Sequence, residues 1–148
     1  MKALIVYDSV HGNTQKVAQA IGDVIEGEVS VCRVGEATAA DFKSLDLLVI
    51  GSPTHGGRPT PAIQGFVNDL PGPVSNVKVA VFDTRMPAGW VKIFGFAANR
   101  ITKALKGKGW SMDTRPEGFY VKGREGPLKD GELQRAALWA RALAERSR

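Results

Sequence analysis

The sequence has little cysteine and histidine, and it contains no long apolar run. Of its 148 residues one is a cysteine, Cys32, and two are histidines, His11 and His55. A single cysteine excludes an internal disulfide, and so few thiol and imidazole groups indicate no transition-metal site. No apolar stretch reaches the length of a membrane span, and no signal peptide is recognisable. We therefore expect a cytoplasmic chain that does not cross a membrane.

The glycines form neither of two common nucleotide-binding patterns. A dinucleotide fingerprint needs three glycines spaced G-x-G-x-x-G, and a nucleoside-triphosphate loop needs Gly-Lys followed by Ser or Thr. The loop after the first apolar stretch has neither spacing. The spacing of serine, histidine and aspartate also suggests no catalytic triad. Dinucleotide, nucleoside-triphosphate and serine-hydrolase sites are therefore not indicated.

Acidic residues are outnumbered by basic ones. Lys and Arg total 20 against 15 Asp and Glu, which gives a formal net charge of +5. This balance favours acidic protein partners, anionic small molecules or an anionic membrane face. The basic residues are spread along the chain and form no stripe interleaved with aromatics, so nucleic acid is not expected as a partner.

Apolar periodicity alternates between strand and helix along the whole chain, which predicts a single domain over residues 1–148. We expect five βα units, a doubly wound five-stranded parallel sheet of order 2-1-3-4-5 with helices on both faces. Cys32 is expected to be buried in the second strand and Leu133 to face the core from the last helix. Strands are predicted at 2–7, 29–34, 45–50, 77–82 and, in two pieces, at 110–114 and 119–121. Helices are predicted at 15–25 and at 94–105. Three more are predicted from signals at their N-termini: a short helix at a Thr38 and Asp41 capping pair, a helix from Thr60 as N-cap to about residue 70, and a last helix after Asp130 as N-cap.

Three polar loops follow the first, third and fourth predicted strands. Ligands of doubly wound sheets lie outside the carboxyl ends of the strands, where the strand order reverses. The loops at that position are residues 8–14, 51–59 and 83–90, and all three contain the small and polar residues of a binding site. We therefore expect one site formed by these three loops.

The first loop has the chemistry of a site for a terminal phosphate. It places Ser9, Gly12 and Thr14 between an apolar strand and an amphipathic helix. The first-turn amides of a helix lack intrahelical partners, the macrodipole is positive there, and the hydroxyls add donors. The alternative is an ordinary helix start in which Asn13 or Thr14 acts as the N-cap. A site for a monoester phosphate that lacks a lysine is the favoured interpretation.

This loop resembles the FMN-phosphate loop of the flavodoxin family, Thr/Ser-x-Thr/Ser-Gly-x-Thr after the first strand. His11 departs from the pattern because it stands at a usual hydroxyl position. The second loop resembles the family's isoalloxazine loop, Gly-Ser-Pro-Thr followed by an aromatic residue and glycine, and here His55 replaces the aromatic residue. The third loop is similar to the family's only in placement and in its polar residues followed by an aromatic residue.

The resemblance implies that the cofactor is FMN and assigns a role to each loop. Gly56 would present its carbonyl to N5 of the flavin, and Arg85 would lie near N1 and O2, although a solvated surface arginine is an equal alternative. Trp90 would cover one flavin face or else be the first buried residue of the next helix. The implied cofactor-binding residues are Ser9, His11, Gly12, Asn13, Thr14, Pro53, Thr54, His55, Gly56, Asp83, Thr84, Arg85 and Trp90.

The implied function is electron transfer between redox protein partners, which the charge suggests are acidic. The alternative is an FMN-dependent oxidoreductase that acts on a quinone or a porphyrinogen-type small molecule. Residues 90–96 are apolar and could form the wall of a pocket or a dimer seam beside the flavin, although packing in the core is the favoured interpretation of these side chains. A signalling receiver domain shares the topology, but it needs an acidic cluster after the first strand and an aspartate after the third. This chain has only Asp8 after the first strand and Gly51-Ser52 at the end of the third, which does not favour a receiver domain.

Overall fold

A computed structural model of the chain describes residues 1–37, 42, 44–74, 76–87, 95–112 and 114–147. Five strands form one parallel sheet of order β2-β1-β3-β4-β5, which confirms the predicted topology. The elements are β1 (Lys2–Tyr7), α1 (Asn13–Val24), β2 (Glu28–Arg33), β3 (Leu47–Pro53), α2 (Pro61–Asp69), β4 (Lys78–Arg85), α3 (Ala97–Gly107), β5 (Glu117–Tyr120) and α4 (Glu132–Arg146).

The central strands are apolar throughout because helices cover both faces of the sheet. On β1, Ile5 packs in the cluster beneath α1 and α4, while Leu4 and Val6 pack in the cluster beneath α2 and α3. Successive residues of a strand point to opposite faces, so a continuous apolar run supplies both cores. None of the helices in the described ranges is long and apolar enough to cross a membrane.

The start of α2 agrees with the sequence, whereas the start of α4 does not. Thr60 is the N-cap of α2, and its hydroxyl accepts a hydrogen bond from the Ile63 amide at 3.4 Å. The N-cap of α4 is Gly131 in the left-handed conformation, not Asp130. The Asp130 carboxylate is fully exposed and instead pairs with Lys122 at 3.6 Å. Asp130 therefore belongs to the preceding loop.

Three smaller expectations need correction. The first piece of the predicted fifth strand is a single Met112–Val79 bridge. The second piece is β5 at Glu117–Tyr120, which begins earlier than predicted. Val121 follows β5: its amide donates to the Arg85 carbonyl of β4 at 2.9 Å, and it also forms a bridge with Leu128. Cys32 is half-buried, since β2 is an edge strand, and Leu133 is 40% exposed on α4. The predicted helix at 94–105 is observed as α3, which begins later, at Ala97, with Phe96 as its N-cap. The predicted cap at Thr38 and Asp41 and residue 94 lie outside the described residues.

Candidate functional site

The carboxyl ends of β1, β3 and β4 border one cleft. It has a volume of about 540 Å³ and lies where the strand order reverses. Its wall includes residues from all three predicted loops and a fourth segment after β5. The lining residues are Ser9, Val10, His11, Asn13, Thr14, Pro53, Thr54, His55, Gly56, Gly57, Thr84, Arg85, Met86, Val121 and Arg124.

The first loop leads into α1 without a side-chain cap. Gly12 is the N-cap with φ +90°, a left-handed conformation that glycine adopts at little cost. Its amide donates to Ser9 Oγ at 3.0 Å, and its carbonyl accepts from the Lys16 amide at 3.1 Å. An ordinary cap at Asn13 or Thr14 is therefore wrong. The first-turn amides of α1 stay available to an anion.

A pair of threonine hydroxyls joins the first loop to the third. Thr14 Oγ1 and Thr84 Oγ1 are 2.9 Å apart and both residues are buried. The bond between them uses one hydroxyl proton, which leaves the second for another acceptor. The Thr84 carbonyl also accepts from the Thr54 amide at 2.9 Å, so Thr84 connects all three loops.

Arg33 at the end of β2 neutralises the acidic residue next to the first loop. Its Nη1 donates to Asp8 Oδ1 at 3.2 Å and to the Ser9 carbonyl at 2.9 Å, and Asp8 Oδ1 also accepts from the Ser9 amide at 2.9 Å. An uncompensated carboxylate here would repel a phosphate. The contact with Arg33 reduces that repulsion and fixes the backbone of Ser9.

The second loop closes in a two-residue hairpin turn. The His55 and Arg58 backbones exchange hydrogen bonds of 2.9 and 3.0 Å, and Gly56 and Gly57 have φ of +58° and +78°. Two positive φ values define a type I′ turn, which glycine fills best. At the base of the loop, buried Ser52 accepts from the Thr60 amide at 3.1 Å. The turn is thus held at the cleft wall.

The environment of His55 favours its neutral form. Partial burial lowers its pKa below the ordinary value, and the positive charges of His11 and Arg124 lower it further, while Asp8 acts in the opposite direction. The lowered pKa thus favours the uncharged imidazole at this wall near neutral pH.

In the third loop the predicted site residues separate into two groups. Thr84 and Arg85 line the cleft, whereas Asp83 is fully buried and does not. Arg85 Nε and Nη2 donate to the two Asp83 oxygens at 2.7 and 2.9 Å, and the Ala98 amide donates to Oδ2 at 2.9 Å. Burial raises the pKa of Asp83, against the opposing effects of Arg85 and the Ala98 amide. Asp83 thus holds Arg85 and the start of α3. Trp90 lies outside the described residues.

The segment after β5 forms a fourth wall that the sequence analysis missed. Residue 121 pairs with Leu128, and the turn between them brings Arg124 to the cleft. Asn13 Nδ2 donates to the Glu125 carbonyl at 3.2 Å, so this turn is fastened to the start of α1. No local sequence signal identified this contact, because its two residues are 112 positions apart.

These features fit FMN, the cofactor that the resemblance implies. The uncapped start of α1, Ser9 Oγ and the threonine pair supply donors for a phosphate monoester. The glycine turn at 56–57 supplies backbone groups at the opposite wall for a flat heterocycle. Gly12 does not line the cleft directly, but its conformation directs the first turn of α1.

Comparison with known proteins supports this assignment. A family model described as a flavodoxin domain matches residues 4–115. A flavodoxin of Aquifex aeolicus is 37% identical over 75 residues, a match that takes in 48% of this chain and only 40% of that protein.

The fold also agrees with solved structures. Flavodoxin 2 from Bacillus cereus superposes with a TM-score of 0.80 at 23% identity, over 99% of both chains. The rubredoxin oxygen:oxidoreductase of Desulfovibrio gigas superposes with a TM-score of 0.77 at 19% identity, over 99% of this chain and 36% of that one. The family match covers most of the chain and the sheet order agrees with it, so the chain belongs to the flavodoxin family, whose members bind FMN.

Proposed function

We propose that this protein carries electrons between protein partners with FMN held in the cleft. One observation carries the proposal: an uncapped helix start and a glycine turn form two walls of one cleft at the switch point of a flavodoxin-family sheet. When bound, FMN supplies one- and two-electron redox chemistry, and the protein supplies binding, orientation and electrostatics.

The first loop would hold the phosphate end of the cofactor. The first-turn amides of α1 and the Ser9 hydroxyl are donors, and the dipole of a 12-residue helix adds positive charge. The proton left over from the Thr14–Thr84 pair is a further donor at the cleft wall. Bonds to a charged acceptor contribute about 1.5–3 kcal/mol each. We therefore expect the phosphate to contribute most of the cofactor's binding free energy.

The second loop would hold the redox-active ring. The Gly56 carbonyl would accept a hydrogen bond from the N5–H group of the reduced flavin. Because Gly56 and Gly57 both adopt positive φ without a Cβ penalty, the peptide between them can change orientation at low cost. The uncharged His55 keeps a full positive charge away from this wall at neutral pH.

The cleft mouth is suited to a protein partner. Val10 is 57% exposed and Met86 39%, which places apolar surface beside the cofactor position. Arg58 and Arg124 are exposed near it, and the whole chain has a net charge of +5. An apolar centre with a basic surround favours an acidic partner surface, with electrostatic attraction speeding the encounter.

The competing proposal is an FMN-dependent enzyme that reduces a quinone or oxidises a porphyrinogen-type molecule. Its sequence support is the apolar stretch at residues 90–96, most of which lies outside the described residues. The apolar side chains of Val10 and Met86 at the cleft mouth would serve a small aromatic substrate as well as a protein.

Turnover by the purified FMN-loaded protein separates the two proposals. The protein is mixed with NADH or NADPH and a soluble quinone, and oxidation of the nicotinamide is followed by absorbance. A carrier should show no turnover alone, and its FMN absorbance should bleach only after a catalytic amount of an NADPH-dependent flavoprotein reductase is added. Rapid quinone reduction by the protein alone would establish the enzyme instead.

A further inference from the structure

The cleft wall formed by the segment after β5 contains an arginine, and the backbone next to it contacts the start of α1. Arg124 is exposed and lines the same cleft as Ser9, Asn13 and Thr14. Residues 8–14 themselves include no lysine or arginine. A phosphate monoester has a charge of about −1.5 to −2 at neutral pH, which neutral donors alone do not cancel.

The backbone around Arg124 is held against the start of α1. Asn13 Nδ2 donates to the Glu125 carbonyl, and a Cβ on Gly126 would lie 2.6 Å from the Asn13 amide group, so only glycine allows this approach. Within the turn the Lys122 amide donates to the Pro127 carbonyl at 2.8 Å. The position of Arg124 beside the helix start is therefore a consequence of the fold and not of its own flexible side chain.

The charge of Arg124 is also available. Near the cleft, Arg33 pairs with Asp8 and Arg85 with Asp83. In the described ranges of the chain Arg124 takes part in no ion pair. Its positive charge also helps to lower the pKa of His55, another residue that lines the cleft.

We infer that Arg124 is the cation that compensates the phosphate of the bound cofactor and that it adds to the preference for FMN over riboflavin which the first loop provides. Asn13 acts as a positioning residue, because its side chain holds the backbone next to Arg124 in place. The inference rests on the proposed FMN site. It adds a charged residue from the β5–α4 connection to a phosphate site that the sequence describes as neutral.

Fluorescence titration of the apoprotein with FMN and with riboflavin tests this inference. We compare wild type, Arg124→Ala, Arg124→Lys and Arg141→Ala. Arg141 is exposed on α4, nine residues after the first residue of that helix and hence about 13 Å further along its axis, so its removal changes the net charge equally at a distance. Thermal unfolding checks that each variant is folded.

Arg124→Ala should weaken FMN binding about tenfold and leave riboflavin binding within about twofold, since one partly screened charge-assisted bond is lost. Arg124→Lys should recover part of the loss, and Arg141→Ala should behave as wild type. The ratio of FMN affinity to riboflavin affinity should also fall with added salt, and it should fall more steeply in wild type than in Arg124→Ala.

Three results would overturn the inference: equal losses for FMN and riboflavin, no loss for either, or the same loss in Arg141→Ala. In each case the wild type would still bind FMN, and the proposed carrier function would stand. Failure of the wild type to bind FMN would instead remove the proposed function, and the inference with it.

Discussion

We expect the main effect of replacing Arg85 by alanine to be a lower free energy of unfolding, and not a change in the redox potentials of the cofactor. The Arg85 side chain is 13% exposed, and its partner Asp83 is completely buried. The guanidinium contacts both carboxylate oxygens and lies 3.7 Å from the centre of the Phe96 ring. Gly118 on β5 has no side chain, and the Arg85 guanidinium occupies the space that a Cβ there would fill. Without Arg85, the polar contacts described for the Asp83 carboxylate are those with the Ala98 amide at the start of α3 and with the Thr54 side chain in the second loop.

The expected loss follows from the burial of Asp83. Removal of one partner from a buried ion pair costs about 3–5 kcal/mol, because an uncompensated charge stays in the interior. Removing the charge that remains should reverse part of this loss. In Arg85→Ala with Asp83→Asn, the amide oxygen of residue 83 can still accept from the Ala98 amide, so we expect about 2 kcal/mol to be recovered.

Urea denaturation of the two single variants and the double variant gives the coupling energy between the residues. Arg33→Ala is the matched control, because its ion pair with Asp8 is 44% exposed on the arginine side and should contribute at most about 1 kcal/mol. A loss below about 1 kcal/mol in Arg85→Ala would refute the assignment of a buried, structurally coupled pair. Arg85 would then be the free cation beside flavin N1 and O2 that the resemblance implies.

Four further outcomes can be measured. Ser9→Ala and Thr14→Ala should each weaken FMN binding by about 1–3 kcal/mol in fluorescence titrations, and equal losses for riboflavin would contradict a phosphate loop. Gly56→Ala should destabilise the fold by about 1 kcal/mol, because φ is +58° there, even though a Cβ would meet no atom within 4 Å. Gly65→Ala is the contrasting variant and should stabilise the fold by about 0.5–1 kcal/mol, because Gly65 lies inside α2, where alanine has the higher helix propensity. The pKa of His55 is lowered in the folded state, so below about pH 6.5 the unfolded chain binds the proton first and the free energy of unfolding falls. His55→Gln should reduce that fall in denaturation curves of the apoprotein, and an unchanged pH profile would contradict this prediction. Electron transfer to an acidic protein partner should slow with ionic strength in stopped-flow experiments, and rates that stay flat would remove the charge argument.

The parts of the fold that depend on local patterns could be predicted from the sequence. The apolar run ending at Gly51 and the Thr60-Pro61 helix start were identified because burial on both faces and N-capping leave local signals. The first loop was identified for the same reason, since its glycine, its hydroxyls and the amphipathic helix after it are adjacent in sequence.

The missed features are ones for which the local sequence pattern was absent or misleading. Arg124 reaches the cleft because Asn13 bonds the Glu125 backbone 112 positions away. Asp83 and Arg85 are two positions apart on β4 and so share a face of the sheet, but the burial of Asp83 and the space beside Gly118 of β5, which make them a buried pair, leave no local signal. Asp130 looks like an N-cap in the sequence, but the N-cap is Gly131, and the exposed Asp130 carboxylate pairs with Lys122.

The affinity of the wild-type apoprotein for FMN relative to riboflavin tests the central claim most directly, because the two flavins differ only in the phosphate that the first loop and α1 are proposed to hold. We expect the apoprotein to bind one FMN per chain, at least about a hundredfold tighter than riboflavin, as two or more charge-assisted bonds would give. Equal affinity for the two flavins, or no FMN binding, would contradict it.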